Sequence, residues 1–304
     1  VPSDGICISV LNIAARYSDP GLATSVIRIL SSRRATLASY HYEALISAYT
    51  GFGDLKTAFR VLTIMAKAGI EPTPSTTRPL YVHLCQEPNL PKEAWGTLKY
   101  LFNDGHVIPV AAVNVVIEAF IGAHCFDDAL DTYKMLHTVC EGGPNTETFN
   151  ILFQGCTRHH RKDVSMFLAS EMHALGIPAD QITYDRLILV CLKQNDYNDY
   201  EDAFKYLEEM MLVGADRIEE GTGNVGWWMR KGTATLMVQT CVKFVDQRVW
   251  SILEGMKERG MKTERLETWA KSAWTGNQVE NGQLVSDDVM AKQEERLRQW
   301  KATN

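Results

Sequence analysis

Apolar and polar residues fall in helical blocks along the chain, and the blocks recur. In residues 39–73, Tyr42, Leu45, Ile46 and Tyr49 are spaced to share one helical face. Gly51-Phe52-Gly53 breaks that helix, and Asp54 is placed to accept a bond from the free N–H groups of a second one. Leu55, Ala58, Phe59, Leu62 and Met65 make the second stripe. Gly69 then supplies a left-handed C-terminal turn, and Pro72 stops propagation.

This two-helix block repeats with a period near 35. One column reads Ala23, Ala58, Ala94, Ala129, Ser165, Ala203 and Val249, at spacings of 35, 36, 35, 36, 38 and 46. Seven residues on, Leu30, Met65, Leu101, Leu136, Met172, Met210 and Met256 form a second column. Gly69, Gly105, Gly176, Gly214 and Gly260 follow it by four, and Pro72, Pro109, Pro144 and Pro178 come shortly after. A small residue in the second helix lets paired helices approach closely. One pair cannot bury its own apolar faces, whereas seven stacked pairs bury a continuous core. Units are expected at 4–38, 39–73, 74–109, 110–145, 146–180, 181–218 and 230–264, with an insertion at 219–229. Arg265 to Trp274 reads as one further helix and Gly276 to Gly282 as a linker. Ser286 is placed to cap a last helix marked by Val289, Leu297 and Trp300, so that residues 265–304 cover the open end as capping helices and a tail.

Composition narrows the function classes. With 45% hydrophobic residues among 304, the chain can build a core, so disorder is excluded. A net charge of −6 excludes a bulk polycation, and any nucleic-acid surface must be local. Val107 to Phe126 is the most apolar stretch, but Pro109, Asn114 and Glu118 interrupt it, so a buried amphipathic helix is expected rather than a membrane span. The start at Val1, without an initiator Met, reads as a processed or trimmed end. The seven cysteines include no C-x-x-C and read as reduced core thiols.

The block from Tyr42-Glu43-Ala44-Leu45-Ile46 to Ala68-Gly69-Ile70-Glu71-Pro72 resembles the pentatricopeptide repeat. So do Thr148-Phe149-Asn150-Ile151-Leu152 through Gly176-Ile177-Pro178-Ala179-Asp180, and Thr183-Tyr184-Asp185-Arg186-Leu187-Ile188. The period separates it from the tetratricopeptide repeat, whose Trp, Leu-Gly and Tyr pattern is absent. The resemblance implies an all-α fold: a right-handed superhelical α-solenoid of about seven helix-turn-helix repeats of the P type, plus C-terminal helices.

It also implies an organellar, here mitochondrial, single-stranded RNA-binding factor without catalysis, acting in transcript stability, processing, translation or ribosome assembly. The alternative is an interaction scaffold or assembly factor for a mitochondrial complex. In the family the first helices line the concave face, and the fifth and last residues of a unit read one base. Carried over, the fifth residues are Ile8, Glu43, Arg78, Asn114, Asn150, Asp185 and Ala234. Asn150 with Asp180 and Asn114 with Asn145 match readable, pyrimidine-leaning pairs. Asp185 takes the same place in the sixth unit, with its partner near Asp216, and Glu264 closes the seventh. Ile182 fits the family's apolar second residue, which stacks on bases, whereas Ser75, Glu147 and Lys231 depart from it. Phosphate contacts are expected from Arg16, Arg158, Arg161, Lys162, Lys193 and Lys243, four of which fall at or beside the end of a first helix.

Other signals carry less. Gly221-Thr222-Gly223-Asn224-Val225-Gly226 matches G-x-G-x-x-G, but no strand precedes it, so a loop is expected. Trp227-Trp228 reads as an anchor for the seventh unit. Cys156, His159 and His160 lack the second ligand pair of a structural metal site. His41-Tyr42-Glu43 lacks the downstream P-C-x-x-C of a zinc deaminase. No catalytic motif, cofactor or metal site is expected. The acidic run across 196–209 reads as a solvated face or a protein-docking surface, and the C-terminal helices are a second place for a protein partner.

Overall fold

A computed structural model describes residues 3–33, 36–140, 142–194, 196–215 and 226–281, and among these every regular element is a helix. The chain divides into two compact units, Val1–Gly155 and Cys156–Asn304. The first carries α1 (Asp4–Arg16), α2 (Pro20–Ser32), α3 (Ser39–Phe52), α4 (Leu55–Lys67), α5 (Pro74–Leu84), α6 (Leu90–Asn103), α7 (Val110–Gly122) and α8 (Phe126–Val139). The division falls within α9 (Thr146–His159). The second unit continues with α10 (Lys162–Ala174), α11 (Gln181–Leu192), α12 (Tyr197–Ala215), α13 (Lys231–Lys243), α14 (Arg248–Glu258) and α15 (Glu264–Asn281). No described helix is long and apolar enough to cross a membrane.

Within the first unit α1, α3, α5 and α7 pack side by side in order, and each holds its own following helix across a short turn. In the second, α11 packs on α12 and α13, and α13 on α14 and α15. The small-residue column is completely buried from Ala23 to Val249, and the column seven residues on is 0–3% exposed throughout. Each buried Leu or Met there contributes about 1.5–3 kcal/mol of apolar burial. The columns are therefore the seams along which helices of a pair meet.

Local signals set most helix ends. Asp54 Oδ1 accepts the Thr57 N–H at 2.9 Å, capping α4. Gly69 ends it at φ 74°, a left-handed turn that a Cβ would strain. Gly214 departs from this column. It sits inside α12 rather than after it, and a Cβ there would lie 2.6 Å from the Trp227 backbone nitrogen. Its role is close approach, and it lets the residues after the insertion dock on α12. Trp228 is 4% exposed, its carbonyl accepts from Gln181 Nε2 at 2.7 Å, and the Arg259 guanidinium lies 4.1 Å from its ring centre. The anchoring expected of the tryptophan pair has this physical form.

Three expectations shift. α13 begins at Lys231, with Arg230 as its N-cap, so its first-helix register starts one residue later than 230. α15 runs to Asn281 and takes in 276–281 of the segment expected as a linker, because a run begun at Glu264 carries through one glycine at a cost of about 1 kcal/mol. Cys85 is exposed, while Cys7, Cys140, Cys156, Cys191 and Cys241 are buried. Burial pushes the Cys140, Cys156 and Cys191 thiols up to about 12, which keeps them protonated and inert. Gly221 to Val225, Asp216, Ser286, Val289, Leu297 and Trp300 lie outside the described residues.

Candidate nucleic-acid interface

Four of the first helices, α3, α5, α9 and α11, open in one way. The backbone N–H of the residue before the helix donates to the side chain three positions on. These bonds are Ala38 to His41 Nδ1 at 3.0 Å, Thr73 to Thr76 Oγ1 at 3.1 Å, Asn145 to Thr148 Oγ1 at 3.1 Å and Asp180 to Thr183 Oγ1 at 3.2 Å. At Asn145 and Asp180 the bond is reciprocal, because Thr148 N–H donates to Asn145 Oδ1 at 3.0 Å and Thr183 N–H to Asp180 Oδ1 at 2.7 Å. These are capping boxes, with Thr in the place of the usual Glu or Gln. The sequence reading passed over them. The signal was available as a hydrogen-bonding residue recurring at the third helical position.

The box makes the last residue of one unit the N-cap of the next first helix, and the fifth residue reaches it. Asn114 Nδ2 donates to Asn145 Oδ1 at 3.3 Å, and Thr148 Oγ1 donates to Asn114 Oδ1 at 2.8 Å. Arg230 N–H donates to Asp185 Oδ1 at 2.8 Å. Thr73 Oγ1 to Glu43 Oε1 is the longest of the set, at 3.5 Å. Among the described residues Asp185 meets Arg230, and Asp216 lies outside them. By the same rule Thr263, immediately before α15, closes the seventh unit in place of Glu264, and Thr235 takes its fifth place instead of Ala234. Asn114 and Asp185, 2% and 4% exposed, thus help fasten neighbouring first helices, and Asn150 is 7% exposed. The hydrogen-bond network assigns which way the Asn114 amide points.

His41 ties this geometry to pH. Its Nδ1 accepts only while the imidazole is neutral, and burial lowers its pKa from the ordinary value. A depressed folded pKa gives stability that is complete above the unfolded value of about 6.5 and is lost as pH falls through the folded one. The melting temperature should therefore drop below pH 6.5, and it should drop less in His41→Gln. An equal drop in both proteins would remove His41 from the account.

Four cations share one place. Arg16, Arg158 and Lys243 close α1, α9 and α13, Lys193 caps α11, and all four are exposed. The corrected α13 register puts Lys243 at the thirteenth position with the others. At that position α3, α5 and α7 carry Gly51, Gln86 and Gly122. The second unit therefore presents a basic row, Arg158, Lys193 and Lys243, that the first unit does not continue. A cation at a helix C-terminus also offsets the macrodipole by about 0.3–1 kcal/mol.

The basic run after Arg158 is used differently from the expectation. Lys162 Nζ donates to Asp199 and, at 2.8 Å, to Asp202, which pins α10 to α12. Partial burial works to lower its pKa, but the bonds to the two carboxylates outweigh it and hold the pKa above normal. Lys162 is therefore an interhelix pin. Arg161 sets its fork on Asp163 at 3.1 Å through both nitrogens, and so its charge is matched locally. Glu201 pairs with Arg248 at 2.6 Å. Asp199, Glu201 and Asp202 are thus drawn into ion pairs, which engages half of the six acidic residues across 196–209. Ile182 is half-buried on α11. Among the described residues no group of three or more metal-ligating side chains comes together.

Residues 4–136 match the family model described as "Pentatricopeptide repeat-containing protein". The chain is similar to the crystal structure of the pentatricopeptide repeat protein PPR10 from maize, at 18% identity and a TM-score of 0.43, over 86% of this chain and 40% of that one. It is also similar to PPR10 in complex with an 18-nt psaJ RNA element, at 16% identity and a TM-score of 0.47, over 95% and 44%. The chain spans less than half the length of these solved chains. No curated protein matches it.

Proposed function

We propose that this chain, a pentatricopeptide repeat protein over residues 4–136, is a non-catalytic single-stranded RNA-binding factor. The observation that carries the reading is the basic row of Arg158, Lys193 and Lys243 at one helical position of α9, α11 and α13. Cations repeated at one helical position suit the repeated phosphates of an extended strand, and phosphate contacts supply most of such affinity. Asn114 stands beside Asn145 and Asp185 beside Arg230, each at the next N-cap, which supports a base-reading role. Asn150 with Asp180 and Asn114 with Asn145 are proposed to meet pyrimidines, Asp185 to meet a further base, and Ile182 to stack. The unit boundaries, an organellar and specifically mitochondrial setting, and a role in transcript stability, processing, translation or ribosome assembly belong to the same proposal. The scaffold reading draws support from the first unit, where Gly51, Gln86 and Gly122 stand in place of the cations.

Replacing Asn150 with Ala removes one amide from the reading edge. Loss of one hydrogen bond is worth about 0.5–1.5 kcal/mol, or about 2- to 13-fold in affinity. The expected result is that weakening for a pyrimidine-rich single strand, with a purine-only strand nearly unaffected. Equal weakening on both strands would take Asn150 out of base reading. Absence of binding to either strand at micromolar wild-type protein would favour the scaffold.

A further inference from the structure

In the first unit the residue just before each member of the second buried column is apolar and exposed. That place holds Ile29 on α2, Ile64 on α4, Tyr100 on α6 and Met135 on α8, which are 39%, 53%, 52% and 45% exposed. In the second unit the same place holds Glu171, Glu209 and Gly255. One exposed apolar side chain needs no explanation, whereas four at one helical position of four successive second helices form a row. α4 packs on α6 and α6 on α8, so these rungs stand side by side. Packed helix axes lie about 8–10 Å apart, which sets the spacing of the rungs.

The row lies in a basic field. α2, α4 and α6 carry Arg28, Lys56, Arg60, Lys67, Lys92 and Lys99, all exposed, against a single carboxylate, Glu93. This stands in a chain whose net charge is −6. Lys56 Nζ lies 4.3 Å from the centre of the Tyr100 ring, so the charge reaches the row itself. Asp127, Asp128 and Asp131 reverse the sign on α8.

The chemistry of the row selects its partner. RNA gains little from Ile29, Ile64 and Met135, because single strands stack on aromatic rings and Tyr100 is the one ring among the four. A membrane surface takes up apolar side chains that enter its acyl boundary, and these rungs are about half covered by their own helices. A partner helix fits both charge and spacing. Seven residues advance a helix by about 10.5 Å and return it to nearly the same face, so one apolar residue per heptad meets successive rungs.

We propose that this side of α2, α4, α6 and α8 is a docking surface for an acidic amphipathic helix of a partner protein, laid across the four helices with one apolar residue against each rung. Its carboxylates belong over α2, α4 and α6, where the cations are, and not over α8. The inference goes beyond RNA binding and does not depend on it, since it uses the second helices of the first unit only.

The test is titration of the whole chain with a four-heptad helical peptide that carries one Leu per heptad and Glu beside the first three. A shuffled peptide of the same composition, oligo(rU) and phosphatidylcholine vesicles containing phosphatidylserine are titrated beside it. Wild type should bind the heptad peptide about tenfold tighter than the shuffled one, and Ile64→Gln with Tyr100→Gln should bring the two within about threefold. Both side chains are exposed, so the melting temperature should hold. Arg60→Gln with Lys99→Gln should weaken the heptad peptide and flatten its salt dependence. Equal binding of the two peptides by wild type, or a full preference kept by the Ile64 and Tyr100 variant, would overturn the proposal. Vesicle binding lost in that variant, without peptide binding, would assign the row to a membrane surface instead. Loss of oligo(rU) binding in it would assign the row to nucleic acid.

Discussion

Replacing Arg248 with Ala is expected to cost about 3–5 kcal/mol and to unfold the second unit ahead of the first. The side chains of Arg248 and Asp246 are 6% and 4% exposed. Arg248 reaches Asp246 Oδ2 through Nη2 at 2.5 Å and Nε at 2.8 Å, and Glu201 Oε1 through Nη2 at 2.6 Å. Its guanidinium lies 3.7 Å from the centre of the Phe204 ring. Tyr200 donates its hydroxyl to Asp246 Oδ2 at 2.8 Å, and Cys241 Sγ lies 3.3 Å from the same oxygen. The cluster thus joins α12, the end of α13 and the start of α14. Truncating the arginine leaves Asp246 buried and negative with no counter-ion, and that outweighs the lost pair itself. Lys would restore charge without the fork, so Arg248→Lys should recover only part of the loss. Denaturant unfolding followed by helicity and by limited proteolysis measures both. A loss below 1 kcal/mol for Arg248→Ala would mean the cluster is hydrated in solution.

Reversing Arg158 and Lys193 together to Glu should weaken single-stranded RNA binding about 30-fold near 0.1 M salt. Opposite charges about 4 Å apart attract by about 1 kcal/mol in water, and reversal turns attraction into repulsion, about 2 kcal/mol per site. Two sites give about 4 kcal/mol, and screening with a Debye length of about 10 Å leaves roughly half. About 2 kcal/mol is close to 30-fold. Both side chains are exposed, so the fold should survive apart from the smaller loss of helix-end charge. The control is Lys162→Glu. It should damage stability through Asp199 and Asp202 much more than it damages binding. If the double variant binds as wild type does, the row is only a set of helix caps.

The repeat was legible because period, stripe and small-residue column all report the same burial. Ala58 and Met65 are completely buried, as their columns require. What escaped was long-range charge pairing. Glu201, Asp246 and Arg248 look like solvated residues in sequence, because Glu201 lies 47 positions from the arginine that pairs with it. The ion pairs of Arg161 and Lys162 were hidden for a related reason. Both cations sit at an inter-helix turn, where a cation can meet a carboxylate as readily as a phosphate. Glycine carried two meanings that sequence spacing could not separate: a left-handed turn at Gly69 and close approach at Gly214. The candidate site was half legible. The fifth-place residues stood out, but their bonds to the next N-cap needed helix starts placed to within one residue, and the insertion before Lys231 hid one of them.

Titrating the wild-type protein with a single-stranded RNA across a salt series tests RNA binding by the second unit most directly. Three exposed cations make up the row, Arg158, Lys193 and Lys243. At about −0.7 per neutralised phosphate, the slope of log K against log salt should be about −2, and the double charge reversal should bring it above about −1. A flat wild-type slope, or no binding at micromolar protein in low salt, would contradict the account.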